Sequence, residues 1–318
     1  MSQPDAARFI ADQILFPDAV AIDAADVVPG RYLDALADAG LYDLNPDPVT
    51  AGRVVEALGG GSLATAFIWI QHHSVVRAVA AAGADLADRY LDGLRAGRIR
   101  AGIAYAALRR PGPPSARATP DGHGGWVLDG FAPWVTGWGL VDVVLVGARR
   151  GDDVVWCLLD AVEADGLAAT AVRLAALDAS ATYELRWARH AVPGDRIVGV
   201  ESFTEWQARD ASGRPPHGYL ALGVAARAGR LLGPGPLDAE VDSARAALDA
   251  ATPATAAAVR ATASLLAVRA ATALVAAGGG KSVEADQHPA RLMREATFLL
   301  VFGQTGAIRA AQLSQLGC

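Results

Sequence analysis

The sequence predicts an α+β protein: an N-terminal helical domain, a middle antiparallel β domain folded as a barrel or sandwich, and a C-terminal four-helix bundle. Two observations predict it. Apolar residues recur at helical spacing in the first and last thirds, whereas the middle third alternates with a period of two. The composition agrees, with 52% hydrophobic and 19% charged residues and abundant alanine, the best helix former. At 318 residues the chain exceeds the usual size of one domain. The changes of period place the divisions at 1–98, 99–213 and 214–318.

The N-terminal block opens with "DAARFIADQIL", where Ala6, Phe9, Ile10 and Ile14 recur at helical spacing. "PGRYLDALADAGLYDL" repeats the pattern through Tyr32, Leu33, Leu36 and Leu41. "GGGSLATAFIWIQHHSVVRAVAAAG" places Ser62 as an N-cap and Gly83 as a stop, and "ADLADRYLDGLRAG" closes the block.

In the β block "GGWVLDG" is a short strand between glycines, and "LVDVVLVGA" and "DDVVWCLLD" flank the turn "RRGDD". "TYELRWARHAVPGD" sets Tyr183, Leu185 and Trp187 on one face and Glu184 and Arg186 on the other, and Pro193-Gly194 ends it. In the last third "GYLALGVAARAGRLLG", "DAEVDSARAALDAA", "PATAAAVRATASLLAVRAATALVAA" and "PARLMREATFLLVFGQTGAIRAAQL" supply four antiparallel helices.

A net charge of -6 argues against binding nucleic acid or an anionic membrane, both of which select a basic face. Cys157 and Cys318 are too few for a disulfide framework or a thiolate metal site and fit a cytoplasmic location. His72 and His73 adjoin on one helix, so they point to different faces and do not form a metal pair; no metal is expected. The longest apolar run, "TASLLAVRAATALVAAGGG", is broken by Arg269 where a spanning helix needs about 20 apolar residues, and Asp5 and Asp12 are out of place in a signal peptide. No membrane span is expected.

"AAGGGKS", Ala276 to Ser282, has the look of a phosphate loop. The pattern G-x-x-x-x-G-K-[ST] requires a glycine where Val275 stands, and it joins a strand to a helix rather than following a long helix. It reads as a glycine C-cap before Pro289 opens the next helix.

That turn and its flanks, "VAAGGGKSVEADQHPARLMREATFLLVFGQTGAIR", resemble the C-terminal end of the acyl-CoA dehydrogenase family, with Pro289, Arg294, Glu295 and Ala296 standing in for a P-x-x-x-x-R-D-A start of the final helix. "GWVLDGFAPWVTG" is similar to the segment in which a W-[IV]-T triplet leads to the flavin, and "HAVPGDRIVG" to the family's "VP" strand end. "ADLADRYLDGLRAGRIRAGIAYA" is similar to its crossover into the β domain, so the resemblance spans most of the chain in one order.

The resemblance implies FAD as cofactor, an acyl-CoA or similar small-molecule substrate, and assembly as a homodimer or tetramer or as a hetero-oligomer with a related chain. In such a site a base removes the α-proton and donors stabilise the charge that develops on the thioester oxygen. Trp134 and Thr136 match the W-[IV]-T triplet, the ring packing by the flavin and the hydroxyl approaching it; the plain alternative is a β-bulge with a buried tryptophan and a surface threonine. Tyr105 falls where the preceding strand touches the flavin, with Ala107 alternate to it on the same face; core packing is the other reading. Thr305 takes the place of the threonine in the family's E-G-T run.

Several positions depart from the family. Leu108 and Arg109 replace the threonine and acid of a T-E-P loop, and Arg109 and Arg110 either hold a phosphate or are simply solvated. An R-x-x-F-G element is absent after "RAGRLLG", and Ala276 replaces a glutamine. Gly303 occupies the position of the usual catalytic glutamate; it keeps a backbone N–H but no carboxylate. The alternative base position, near Gly218, has no acid either, and the adjacent His217 is the candidate that titrates near neutrality. These features define two readings: a flavin oxidoreductase acting on the CH–CH bond of an acyl thioester, and a non-catalytic subunit of the same fold. A third is a different flavin reaction on a non-thioester substrate.

Overall fold

The computed structural model describes residues 1–211 and 216–318, so the expected boundary between residues 213 and 214 lies outside the described residues. In chain order α1 (Gln3–Ile10), a π-helical turn (Ala11–Leu15), α2 (Phe16–Asp23), α3 (Gly30–Asp38), α4 (Pro48–Gly61), α5 (Leu63–Ala80) and α6 (Ala84–Arg95) precede the strands. The strands are β1 (Ala101–Ala104), β2 (Ala116–Pro120), β3 (Trp126–Val135), β4 (Val143–Arg150), β5 (Asp153–Asp160), β6 (Leu167–Ala171), β7 (Tyr183–Val192) and β8 (Ile197–Ser202). Then follow α7 (Phe203–Ala211), α8 (Pro216–Leu232), α9 (Pro236–Asp249), α10 (Ala256–Gly278), α11 (His288–Val301) and α12 (Gly306–Leu316).

The chain forms two compact units: residues 1–67, 175–179 and 210–318, and residues 68–174 and 180–209. The first is helical. Ser2 caps α1 by accepting from the Asp5 N–H at 3.3 Å, and Asp47 caps α4 by accepting from the Thr50 N–H at 2.8 Å. The α8–α11 group forms the expected bundle with α12 laid on α10, and α4 packs along α8. That crossing is a backbone contact. A Cβ on Gly52 would stand 2.6 Å from the Tyr219 ring, and one on Gly223 would run into the carbonyl oxygen of Glu56.

α10 ends where expected: Gly279 takes φ +64°, a short 3₁₀ turn covers Gly279–Val283, and Pro289 lies in the first turn of α11. Contrary to the expectation from Arg269, Ala256–Val283 is long and apolar enough to cross a membrane by length and composition. Its Ala263, Ala267, Ala270 and Leu274 are buried, and α10 packs on α8 and α11, the pattern of a core helix.

The second unit carries an eight-stranded sheet in the order β6-β7-β3-β2-β4-β5-β8, with β1 beside β4. It is mixed rather than antiparallel. β1 pairs β4 in parallel, Ala101 opposite Val143 to Ala104 opposite Val146, because the chain makes the whole β2–β3 hairpin before returning. The remaining long pairings are antiparallel. Val75, Val79, Leu86 and Leu94 of the helices pack with Leu145, Val154, Leu158 and Trp206 in its core.

Ser62 does cap α5, its hydroxyl accepting from the Thr65 N–H at 3.4 Å, but the preceding glycines Gly59–Gly61 belong to α4. A helix through three glycines is disfavoured locally by roughly 1 kcal/mol per residue. Here close packing on α8 needs them: a Cβ on Gly59 or Gly60 would approach the Leu220 or Gly223 backbone to 3.0 or 2.8 Å.

Candidate functional site

In the β unit, β3 carries the W-V-T segment. Its pairing with β7 slips between Ala132 and Val135, at Pro133, which has no N–H to give the ladder. The slip puts Trp134 at φ +63°, a left-handed backbone that is costly for a bulky residue, and leaves its ring 48% exposed. Thr136 is the reverse, 2% exposed. The bulge is therefore present, but with a surface tryptophan and a buried threonine.

The Thr136 hydroxyl lies 3.3 Å from that of Thr182, which lies 3.1 Å from that of Ser180. All three are buried. The Gly137 N–H donates to the Ser180 and Ala181 carbonyls at 2.9 and 3.0 Å, and Ala181 also has positive φ, at +50°. Strain at Trp134 is thus held by a hydroxyl chain and by a second strained turn.

Tyr105 and Ala107 do not share a strand face. β1 ends at Ala104, Tyr105 begins a 3₁₀ turn over Ala106–Arg109, and Pro111 with Pro113 and Pro114 prevents further pairing. The Tyr105 ring is buried, packs edge-on to Trp156 at 5.2 Å and lies under the Arg109 guanidinium at 5.8 Å. Ala107 sits half-buried on the turn, and Arg110 is exposed.

In the helical unit, Gly303 follows α11 at φ +58°. A Cβ there would lie 2.8 Å from Nδ1 of His217, whose half-buried ring packs at a tilt against Phe302, with centroids 4.5 Å apart. The two alternative positions for a base therefore adjoin in space, and the imidazole fills the room a Gly303 side chain would need. A Cβ on Gly218 would meet the Leu248 side chain at 2.7 Å, so an acid there would collide with α9. Phe302 also contacts Phe67 at 4.8 Å and Phe298 at 5.6 Å, giving an aromatic wall.

The turn is held by Arg260. This buried guanidinium donates to the Leu299 and Phe302 carbonyls at 3.2 and 3.3 Å and to Ser264, and burial lowers its pKa to about 10. Among the described residues the Gly303 N–H has no backbone partner. The Thr305 hydroxyl caps α12, accepting from the Ile308 N–H at 3.3 Å.

Ser180, Thr182 and Arg260 escaped the sequence reading. "S-A-T" ahead of a strand was a weak signal for the first two, and Arg260 had none, since a helix arginine is ordinarily solvated. His72 and His73 are both buried. His72 is satisfied at both nitrogens, by the Leu94 carbonyl at 3.0 Å and the Ala101 N–H at 3.1 Å. Among the described residues no group of three or more His, Cys, Asp or Glu side chains is arranged to hold a metal.

No protein-family model matches the chain, and no curated protein matches it in sequence. Solved structures do. Butyryl-CoA dehydrogenase from Megasphaera elsdenii matches at a TM-score of 0.82 and 18% identity over 99% of this chain and 97% of that one. A glutaryl-CoA dehydrogenase from Mycobacterium smegmatis in complex with FADH2 matches at 0.79 and 17%, covering 99% and 94%. The FAD complex of PigA matches at 0.82 and 18%, covering 99% and 96%. The chain has the acyl-CoA dehydrogenase fold, as the sequence resemblance implied.

Proposed function

We propose that this protein is a flavin-dependent oxidoreductase of the acyl-CoA dehydrogenase type, acting on the CH–CH group of an acyl thioester with His217 in place of the usual glutamate. The observation that carries the flavin part is Trp134: a large aromatic ring left in solvent at a strained backbone position invites a planar partner. The residues fit FAD at its ring end, where Trp134 would hold the isoalloxazine and the buried Thr136–Thr182–Ser180 chain would fix the segment behind it. FAD, when bound, supplies the hydride acceptor.

The chain's own residues do the rest. The Gly303 N–H, in a turn fixed by Arg260, donates to the thioester oxygen as negative charge builds there. His217 accepts the α-proton on a ring nitrogen. Phe302, backed by Phe67 and Phe298, lies against the imidazole of His217 at 4.5 Å and lines one side of the proton acceptor. Homodimer or tetramer assembly is part of the proposal, as is a cytoplasmic location, which the free thiols Cys157 and Cys318 fit.

The second reading, a non-catalytic subunit paired with a complete relative, is favoured by the same Gly303–His217 contact, which excludes a carboxylate from the usual place. The test is anaerobic mixing of the flavin-loaded protein with short, medium and long acyl-CoA. The proposal expects the flavin's visible band to bleach with one chain-length class, and His217→Ala to slow bleaching by about 10²–10⁴. Bleaching at an unchanged rate in that variant removes His217 as the base, and none with any thioester favours the subunit reading.

A further inference from the structure

The last helix of the helical unit is amphipathic in the inverted sense. α12 lies on α10, and the side it turns to the bundle is largely amide. Gln312, only 4% exposed, donates to the Leu300 carbonyl at 3.0 Å and accepts from the Gln304 side chain at 2.7 Å. Gln315 donates to the Ala258 carbonyl at 3.4 Å and accepts from the Thr262 hydroxyl at 3.2 Å. Ile308 is the apolar residue buried beside them. The other side carries a ridge at i, i+3 spacing, formed by Ala307, Ala310, Leu313 and Leu316. All four are exposed, the two leucines by 44% and 57%. Glutamine is ordinarily a surface residue and leucine a core one, so this exchange marks a face completed by association.

Two features say what completes it. Between Leu299 and Cys318 the sequence has one charged side chain, Arg309, and its guanidinium is turned back to Gln304 at 3.0 Å. A ridge without charge suits an apolar surface like itself. It does not suit an anionic membrane, which draws in helices with several basic residues. The ridge is also graded, with its small residues in the N-terminal half of the helix and its large ones in the C-terminal half. Antiparallel pairing across a two-fold axis therefore sets Leu313 against the partner's Ala310 and Leu316 against the partner's Ala307, so each large side chain meets a small one. Parallel pairing would set leucine on leucine and leave alanine facing alanine.

We propose that α12 is a contact between two copies of this chain, paired antiparallel through Ala307, Ala310, Leu313 and Leu316. The inference rests on the homo-oligomeric part of the reading above, to which it gives a surface, and is independent of the flavin chemistry.

The test is sedimentation velocity of the full chain over a wide range of concentration, with reductant present because Cys318 is an exposed thiol. The wild type should self-associate, and the Leu313→Glu, Leu316→Glu double variant should weaken that association about tenfold or more, since each carboxylate would be desolvated against an alanine. Val162→Glu, at a 60% exposed position in the β unit, should leave it unchanged. Both leucines are exposed, so the double variant should keep the wild-type unfolding midpoint. Mixing a Leu313→Glu chain with an Ala310→Lys chain should give tighter association than either alone, because the antiparallel contact brings the two new charges together. A wild type that stays monomeric, even one that instead sediments with phosphatidylserine vesicles, overturns both this contact and the homo-oligomer. A wild-type oligomer that the double variant leaves unchanged overturns the contact alone, and a mixture no tighter than its components overturns the antiparallel pairing.

Discussion

The imidazole of His217 stands where a side chain on Gly303 would begin, with Nδ1 2.8 Å from the position of a Cβ. A glutamate introduced at Gly303 therefore meets the ring already there. Gly303→Glu also forces a non-glycine residue to φ +58°. It should cost about 1–3 kcal/mol in urea unfolding. In the Gly303→Glu, His217→Ala pair the cost should fall below the sum of the two single changes, and strict additivity would show that the contact is not made.

Thr182→Val leaves the buried hydroxyls of Thr136 and Ser180 without their common partner. A loss of about 1–3 kcal/mol is expected, with Thr182→Ser retaining most of it. If the chain supports Trp134, the valine variant also loses bound flavin at temperatures where it remains folded, as its circular dichroism would show. Retention of flavin equal to the wild type would separate the hydroxyl chain from the platform.

Gly223→Ala places a methyl group against the Glu56 carbonyl at the crossing of α4 and α8. Backbone cannot yield as a side chain can, so a destabilisation of about 2–3 kcal/mol is expected. Gly199→Ala, with open space at that position, should change the unfolding midpoint little.

Acid should unfold the protein through the buried imidazoles of His72 and His73 and the half-buried one of His288. Burial lowers the pKa of His72 to about 4; burial, then Arg291 and Arg227, lower that of His288 to about 4; and His73 falls well below its ordinary value. Each is neutral in the fold and regains a pKa of about 6.5 when unfolded. Their stabilisation is complete above pH 6.5 and is lost as pH falls toward 4. Glu295, raised by burial, acts in the opposite sense. Urea midpoints measured across this range should drop, and His288→Asn should flatten the slope; a flat profile in the wild type would contradict the assignment.

Local signals were legible where chain chemistry decides the outcome. Pro289 and Gly279 marked the α10–α11 turn, and Leu185 and Trp187 marked the inner face of β7. What escaped depends on distant partners. The parallel pairing of β1 with β4 has no local period, and the helix through Gly59–Gly61 makes sense only with α8 against it. At the candidate site Trp134 and Thr136 were singled out, but a slip at Pro133 reversed which of them is buried. The strand expected to carry Tyr105 and Ala107 is cut short at Ala104, ahead of the prolines. The adjacency of His217 and Gly303 joins residues 86 positions apart and needed the fold.

The most direct test of the flavin site is the visible absorbance of the purified chain after incubation with FAD and removal of the excess. An equimolar flavin band in the wild type, lost or strongly reduced in Trp134→Ala while that variant still unfolds cooperatively, is the predicted result. A colourless wild-type protein, or a Trp134→Ala variant that holds flavin as tightly as the wild type, would contradict the role given to Trp134.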